Sequence, residues 1–128
     1  MMGVGKSTIG KSLSKKLNMN FIDIDKLIEK NENSTIPKIF EENGEEYFRN
    51  LEKKISLLEI KKTESVISLG GGAFMNKEIR SIVPNTCCSF WLDLKIKTIE
   101  DRIKNSNKRP LLNKKNLRFS LNEIYNNR

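Results

Sequence analysis

With 128 residues and a formal net charge of +8, the chain is long enough for one small domain and too short for two hydrophobic cores. Its 37% hydrophobic and 31% charged residues suit a soluble globular protein, and no apolar run approaches the length of a membrane span. The positive charge is compatible with nucleic-acid binding, but the lysines are scattered along helical faces without interleaved aromatic residues, which is typical of a solvated surface and disfavours that role.

The first eight residues, MMGVGKST, match the end of a phosphate-binding loop, G-x-x-x-x-G-K-[ST]. In such a loop, backbone N–H groups surround the phosphate oxygens, Lys6 reaches the β- and γ-phosphates, and the Ser7 hydroxyl binds Mg²⁺. Apolar residues then recur every four positions, which predicts a helix over 8–17 whose positive end faces the anion. The stretch therefore predicts a nucleotide site, against the alternative of a glycine-rich frayed terminus.

Residues 20–24, Asn-Phe-Ile-Asp-Ile, are predicted to form a buried strand with two carboxylates at its end. Asp23 and Asp25 are two positions apart and share one face of a strand, and ligands bind beyond the carboxyl ends of strands in open α/β sheets. One carboxylate can hold a metal-bound water while the other orients a hydroxyl proton. The alternative is that Asp25 caps a helix over 26–30, which leaves Asp23 unexplained.

Two helices separated by a glycine are predicted next. The first begins at Ser34 or Thr35 with Pro37 in its first turn, and it is broken at Asn43-Gly44. The second covers 45–62, with a buried stripe formed by Phe48, Leu51, Ile55 and Leu58.

Arg49 lies beside that stripe, near the helix start, where the helix dipole disfavours a cation. Either Glu52, three residues on, or an anionic ligand must compensate its charge. A buried strand over 65–69 then leads into Gly70, Gly71 and Gly72. Three consecutive glycines cost conformational entropy, so they predict a tight turn or a close approach to a ligand.

A short helix over 77–82 is predicted to stop at Pro84, followed by a third strand over 86–94 and a helix over 96–104. Cys87 and Cys88 are adjacent in that strand, so their side chains point to opposite faces and cannot easily form a disulfide. This favours a reducing compartment and predicts a cytoplasmic location.

The segment 104–115 is polar and basic around Arg109-Pro110-Leu111-Leu112. It is typical of a lid loop whose arginine meets charge in a phosphoryl-transfer transition state, although by itself it also fits an ordinary linker. A last helix is predicted over 116–127, with one apolar side formed by Leu117, Leu121, Ile124 and Tyr125.

The phosphate loop, the Asp-x-Asp strand end, Phe-Arg with a glutamate shortly after, Gly-Gly-Gly-Ala and Arg-Pro-Leu-Leu together resemble the shikimate kinase family over essentially the whole chain. The resemblance implies an α/β P-loop kinase fold, a parallel sheet flanked by helices, with residues 1–128 as one domain. The family's first strand and first loop glycine, and its last strand and helix, have no counterpart, so we expect the domain to be truncated at both ends, poorly stable and weakly active by itself. Asn33 replaces a usual glycine, a mild change because asparagine tolerates the left-handed conformation.

The resemblance also implies a role for individual residues. ATP phosphates and Mg²⁺ would be bound by Gly3, Val4, Gly5, Lys6, Ser7 and Thr8, with Asp23 as the carboxylate near the metal. Arg102 would lie against adenine, and Arg109 would be the lid arginine. Shikimate would be bound by Asp25, Arg49, Gly71, Gly72 and Arg128, with Asp25 as the candidate base.

The implied reaction is transfer of the γ-phosphoryl group of ATP to the shikimate 3-hydroxyl, with Lys6, Asp25 and Arg109 as catalytic residues. ATP and Mg²⁺ are the expected cofactors, shikimate is the expected partner, and neither nucleic acid nor a membrane is expected to bind the monomer. Three alternatives stay open: another small-molecule P-loop kinase, a degenerate homologue that binds ligand without turnover, and a basic nucleic-acid binder.

Overall fold

The computed structural model describes residues 2–104 and 116–127, and its elements follow an α/β order. In chain order they are α1 (Lys6–Leu17), β1 (Asn20–Asp23), α2 (Ile24–Glu32), α3 (Ile36–Ile60), β2 (Ser65–Ser68), a 3-10 turn (Ala73–Met75), α4 (Lys77–Thr86), α5 (Ile96–Ile103) and α6 (Leu117–Asn126). Arg109, Arg128 and all of the predicted lid beyond Lys104 lie outside the described residues.

β1 and β2 form a parallel pair in which Asn20 lies opposite Ser65 and Asp23 lies opposite Ser68. Both strands therefore end at the same edge of the sheet. α1 packs against both strands and turns into β1 at Asn18, whose left-handed backbone (φ 53°) closes the helix. Because the chain reverses there, the first turn of α1 lies at the edge where the two strands end.

Three apolar clusters surround this sheet edge. One joins α2 to α3 through Ile24, Ile28, Ile39, Phe48 and Ile55. A second joins the end of α3 to α4 through Ile60, Ala73, Ile79 and Val83. A third joins the residues before α1 to α5 and α6 through Met2, Val4, Ile99, Ile103 and Leu121.

The first predicted strand ends earlier than expected. β1 stops at Asp23, Ile24 already begins α2, and Asp25 lies in the first helical turn. The Asp23 side chain accepts the backbone N–H of Lys26 at 3.4 Å and caps α2, so the prediction that two aspartates share one strand face was wrong. The alternative with Asp25 as the cap was also wrong, because the carboxylate that meets the unpaired N–H groups is Asp23.

The helix break predicted at Asn43-Gly44 is confirmed by the non-helical backbone of Gly44 (φ 82°, ψ 173°), which kinks α3. The buried stripe beyond it differs from the prediction, since Leu58 is 56% exposed. At 100° per residue Leu58 lies about 80° from Phe48 on one side, whereas Glu52 and Glu59 lie about 40° and 20° away on the other. The buried face therefore includes these two glutamates, which hydrophobicity alone assigned to solvent.

The third predicted strand is absent from the described structure. α4 continues through Pro84 to Thr86, and the residues that follow it, 87–95, are irregular, with Phe90 and Trp91 exposed. Part of the predicted strand is therefore helix, where the Thr86 hydroxyl donates to the Ile82 carbonyl at 2.9 Å. The remainder has no neighbouring strand in the described part of the chain, and a strand needs a partner for its ladder hydrogen bonds. Cys87 and Cys88 are free thiols, as expected.

The other predicted helices are confirmed. Asn33 closes α2 in the left-handed conformation (φ 47°). None of the helices in ranges 2–104 and 116–127 is both long and apolar enough to cross a bilayer.

The cluster between α2 and α3 gives a stability prediction. Ile28→Ala is expected to lower the free energy of unfolding by about 2–5 kcal/mol, because it removes a fully buried side chain and leaves a cavity. Ile9→Ala on α1 is the matched control and should cost less than about 1 kcal/mol, since Ile9 is 48% exposed. Urea unfolding of both variants measures the difference, and equal losses would contradict the assigned core.

Candidate active site

The loop before α1 has the backbone conformation that an anion-binding turn requires. Gly3 (φ 72°) and Gly5 (φ 96°) are both left-handed, a region that favours glycine. Gly5 is the residue that caps α1, and no side chain makes a cap hydrogen bond there. The first turn of α1 is therefore suited to a bound anion, which would meet both the N–H groups and the positive end of the helix dipole.

Helix α5 fixes the position of this loop. A Cβ atom on Gly3 would lie 2.9 Å from Ile103 Cγ2 and 3.3 Å from Ile99 Cγ2, so only glycine fits against α5 at this position. Met2 and Val4, on either side, are 7% and 3% exposed. Ile99 and Ile103 lie four residues apart, a spacing typical of a buried helix face, but nothing in the sequence indicated that this face supports the loop.

Arg102, also on α5, lies over the loop. Its Nη1 atom donates long hydrogen bonds to the carbonyls of Gly3 (3.4 Å) and Val4 (3.5 Å), and it lies 3.9 Å from where a Cβ on Gly5 would be. The structure therefore places this cation beside the phosphate-binding loop, on the side formed by α5.

Arg49 is held by two carboxylates of its own helix. Nη1 donates to Glu52 Oε2 at 2.7 Å, while Nη2 and Nε donate to Glu45 Oε1 at 3.0 and 3.1 Å. The guanidinium also lies 5.3 Å from the centroid of the Phe48 ring, a cation–π contact. These bonds use three of the five N–H donors of arginine, which leaves two for an anion.

The charge on Arg49 is secured by these neighbours. Burial by itself lowers the pKa of Arg49, but Glu52 and then Glu45 outweigh that effect and hold the pKa above its usual value. The two glutamates differ in environment, because 3% of the Glu52 side chain is exposed against 52% for Glu45. Of the two ways to compensate the charge of Arg49 that the sequence left open, Glu52 is the one present in the structure, and 30% of the Arg49 side chain is exposed.

Gly70 and Gly72 pack directly against the side chains around Arg49. A Cβ on Gly70 would lie 2.0 Å from Glu52 Oε1 and 3.1 Å from Asp25 Oδ1. A Cβ on Gly72 would lie 2.8 Å from Arg49 Nη1. The glycine run therefore forms a turn and also allows these side chains to approach the backbone closely. Asp25, Arg49 and Glu52 lie against it beyond the end of β2.

The predicted site residues form two groups at one sheet edge. Gly3, Val4, Gly5, Lys6, Ser7 and Thr8 form the loop and the start of α1, next to Arg102. Asp25, Arg49, Gly71 and Gly72 meet around the glycine turn. Asp23 lies at the end of β1, where it caps α2.

Two contributors to the second group were missed. Glu45 lies one helical turn before Arg49, a spacing that predicts an ion pair. Gly70 carried no separate signal within the glycine run, yet it is the glycine against which Glu52 and Asp25 lie.

A metal site built from protein side chains alone is not present among residues 2–104 and 116–127, since no three His, Cys, Asp or Glu side chains are grouped closely enough. Ser7 at the start of α1 carries a hydroxyl and Asp23 at the end of β1 carries a carboxylate, and both are hard oxygen donors.

Comparison with known proteins gives a consistent result. A model of the family described as "Shikimate kinase" matches residues 2–128. The shikimate kinase of Sulfurihydrogenibium sp. (strain YO3AOP1) is 47% identical over 111 residues, which cover 87% of this chain and 67% of that protein. The shikimate kinase of Staphylococcus aureus (strain MRSA252) is 43% identical over 124 residues, covering 97% of this chain and 70% of that protein.

Solved structures agree with the sequence comparison. Shikimate kinase from Acinetobacter baumannii in complex with shikimate superposes with a TM-score of 0.94 at 30% identity, covering 98% of this chain and 70% of that one. The enzyme from Aquifex aeolicus gives a TM-score of 0.78 at 37% identity, covering 98% of this chain and 78% of that one. The chain, with its parallel strands flanked by helices and its glycine-rich loop before α1, belongs to the shikimate kinase family.

Proposed function

We propose that the chain transfers the γ-phosphoryl group of ATP to the 3-hydroxyl of shikimate and so forms shikimate 3-phosphate and ADP. The observation that carries this proposal is that Asp25 lies against Gly70 and Arg49 lies against Gly72, so both face the glycine turn at the edge of the sheet where α1 begins. Arg49 supplies a cation for the substrate carboxylate, and Asp25 supplies a base for the substrate hydroxyl proton. Both would lie on the side of the phosphate-binding loop where the phosphoryl acceptor binds.

The residues proposed to bind the phosphoryl acceptor suit a small hydroxy acid. Arg49 is charged, partly exposed and already oriented, so it can bind a carboxylate without first ordering its side chain. Glu52 and Glu45 act as positioning residues because they hold the guanidinium rather than touch substrate. Backbone groups of Gly71 and Gly72 would contact the acid, and Arg128 would supply the second guanidinium.

In the proposed reaction, the 3-hydroxyl oxygen forms a bond to the γ-phosphorus while the bond from that phosphorus to the β,γ-bridging oxygen breaks. Asp25 orients the hydroxyl and takes its proton, and Lys6 and Arg109 stabilise the charge that develops on the transferred group. Most of the catalysis is thus positioning and electrostatics.

Ser7 and Asp23 would hold Mg²⁺. The Ser7 hydroxyl is exposed at the start of α1, and the Asp23 cap uses a single long hydrogen bond to Oδ1, so the second carboxylate oxygen is available for a metal-bound water. The ion would neutralise charge on the β- and γ-phosphates. Arg102 would stack against the adenine ring, and the active form would be a monomer in the cytoplasm.

An acceptor series tests the proposal. In an assay coupled to ADP formation, shikimate should be phosphorylated, while its methyl ester should lose at least about 10² in kcat/KM because the ester offers no charge to Arg49. Equal turnover of the ester, or preference for a sugar acid or a nucleoside monophosphate, would indicate a different small-molecule kinase. A melting temperature raised by shikimate without any product would indicate a binding protein that has lost catalysis.

A further inference from the structure

A second concave surface lies outside the group around Arg49. It is a groove of about 440 Å³ between α1, β1 and the start of α2. Its walls carry Lys11, Lys15 and Lys26 together with the hydroxyls of Thr8 and Ser12, and the Phe21 ring lines it as well. Ser7 is part of the lining, whereas the loop glycines and Lys6 are not.

The fold brings these residues together from three elements. Lys11 and Lys15 are one helical turn apart on α1, so they share a face. Phe21 lies on β1, and the edge of its ring packs against α1 at Gly10, where a Cβ atom would lie 2.8 Å from the ring Cε2 atom. Lys26 is in the first turn of α2. The result is an apolar aromatic surface surrounded by three ammonium groups.

The three ammonium groups around the groove form no ion pair in the described ranges, a property that they share with most lysines there. Lys38, Lys53 and Lys62 each form an ion pair with a glutamate. By contrast, none of Lys11, Lys15 and Lys26 forms an ion pair with any carboxylate in the described ranges. The Asp23 carboxylate accepts the backbone N–H of Lys26 at 3.4 Å, and no acidic residue is part of the groove lining.

From this arrangement we propose that the groove is a binding site for a small organic anion with two or more negative charges and an apolar ring, of which an aryl phosphate is the simplest example. The ring would lie on Phe21, and the charged end would be bound by the lysines and the Thr8 and Ser12 hydroxyls. Like charges around one groove repel each other, so an anion stabilises the arrangement by relieving that repulsion. The volume suits a molecule of metabolite size. The groove shares Ser7 and Thr8 with the proposed nucleotide site, but Lys6, Asp25 and Arg49 are not part of its lining.

Phenyl phosphate is the probe for this site, observed through backbone amide shifts in two-dimensional NMR of the whole chain. We expect saturable shifts at Lys11, Ser12, Lys15, Phe21 and Lys26. The same shifts should persist in Lys6→Ala, which weakens anion binding at the phosphate loop, and inorganic phosphate should bind more weakly because it has no ring for Phe21. Inorganic phosphate binding as tightly as phenyl phosphate would overturn the aromatic part of the proposal.

A matched pair of double variants measures the contribution of charge. Lys11→Gln with Lys15→Gln should weaken phenyl phosphate binding about five- to tenfold, while Lys16→Gln with Lys30→Gln, exposed lysines of α1 and α2 outside the groove lining, should change it less than about twofold. Equal weakening by both pairs would show a general charge effect and overturn the proposal. Shifts confined to residues 3–8, or shifts that do not saturate, would overturn it as well.

Discussion

Lys6→Met is expected to lower kcat for ATP-dependent phosphorylation of shikimate by about 10²–10³. Lys6 is the first residue of α1 and directly follows the left-handed Gly5. From there its ammonium group can reach the transferred phosphoryl group, whose equatorial oxygens gain charge in the transition state. Methionine keeps the length and much of the helix propensity of lysine but removes the charge, and the loss of one such stabilising group costs about 10²–10³ in kcat.

Lys16→Met is the matched control for this variant, since it removes an equal charge from the exposed last turn of α1. We expect its kcat to stay within about twofold of the original chain. Thermal melts of both variants separate a catalytic defect from a folding defect. If Lys6→Met kept kcat within tenfold, the γ-phosphate contact assigned to Lys6 would be wrong.

Local patterns predicted the helices well, because helix formation depends on neighbouring residues. The spacing of apolar residues on α5 and α6 and the proline and cap residue at the start of α3 were sufficient. The prediction of a strand over 86–94 was wrong for the opposite reason. Its β-branched and aromatic composition favours a strand, but pairing depends on what lies beside it, which a single sequence segment does not contain.

The distinction between local sequence patterns and tertiary contacts applies to the candidate site as well. The glycine and lysine positions of the phosphate loop follow from a contiguous motif, and the left-handed Gly3 and Gly5 agree with it. The burial of Glu52 could not be predicted from its own helix, where a glutamate is ordinarily solvated. Its environment is set by Gly70 and Asp25, which approach from β2 and α2, so it depends on tertiary contacts.

Arg49→Met is expected to lower both the stability of the chain and its affinity for shikimate. A double variant can separate the two effects. The substitution takes away the guanidinium 2.7 Å from the buried Glu52 carboxylate. Breaking one side of a buried ion pair costs about 3–5 kcal/mol of stability, and because 30% of the Arg49 side chain is exposed we expect roughly 2–4 kcal/mol. The KM for shikimate should also rise at least about 10²-fold, since a carboxylate loses its oriented cation.

Adding Glu52→Gln to Arg49→Met should restore most of the stability but none of the shikimate affinity. The second change replaces a buried charge with a neutral amide of the same shape, and neutral replacements of buried ion pairs are often as stable as the pair. Urea unfolding of the four chains in this cycle gives the coupling energy between the two residues. Glu45→Gln is the control for a carboxylate on the exposed side and should cost less than about 1 kcal/mol. If stability and shikimate affinity returned together in the double variant, Arg49 would act through the fold alone and would not bind the substrate carboxylate.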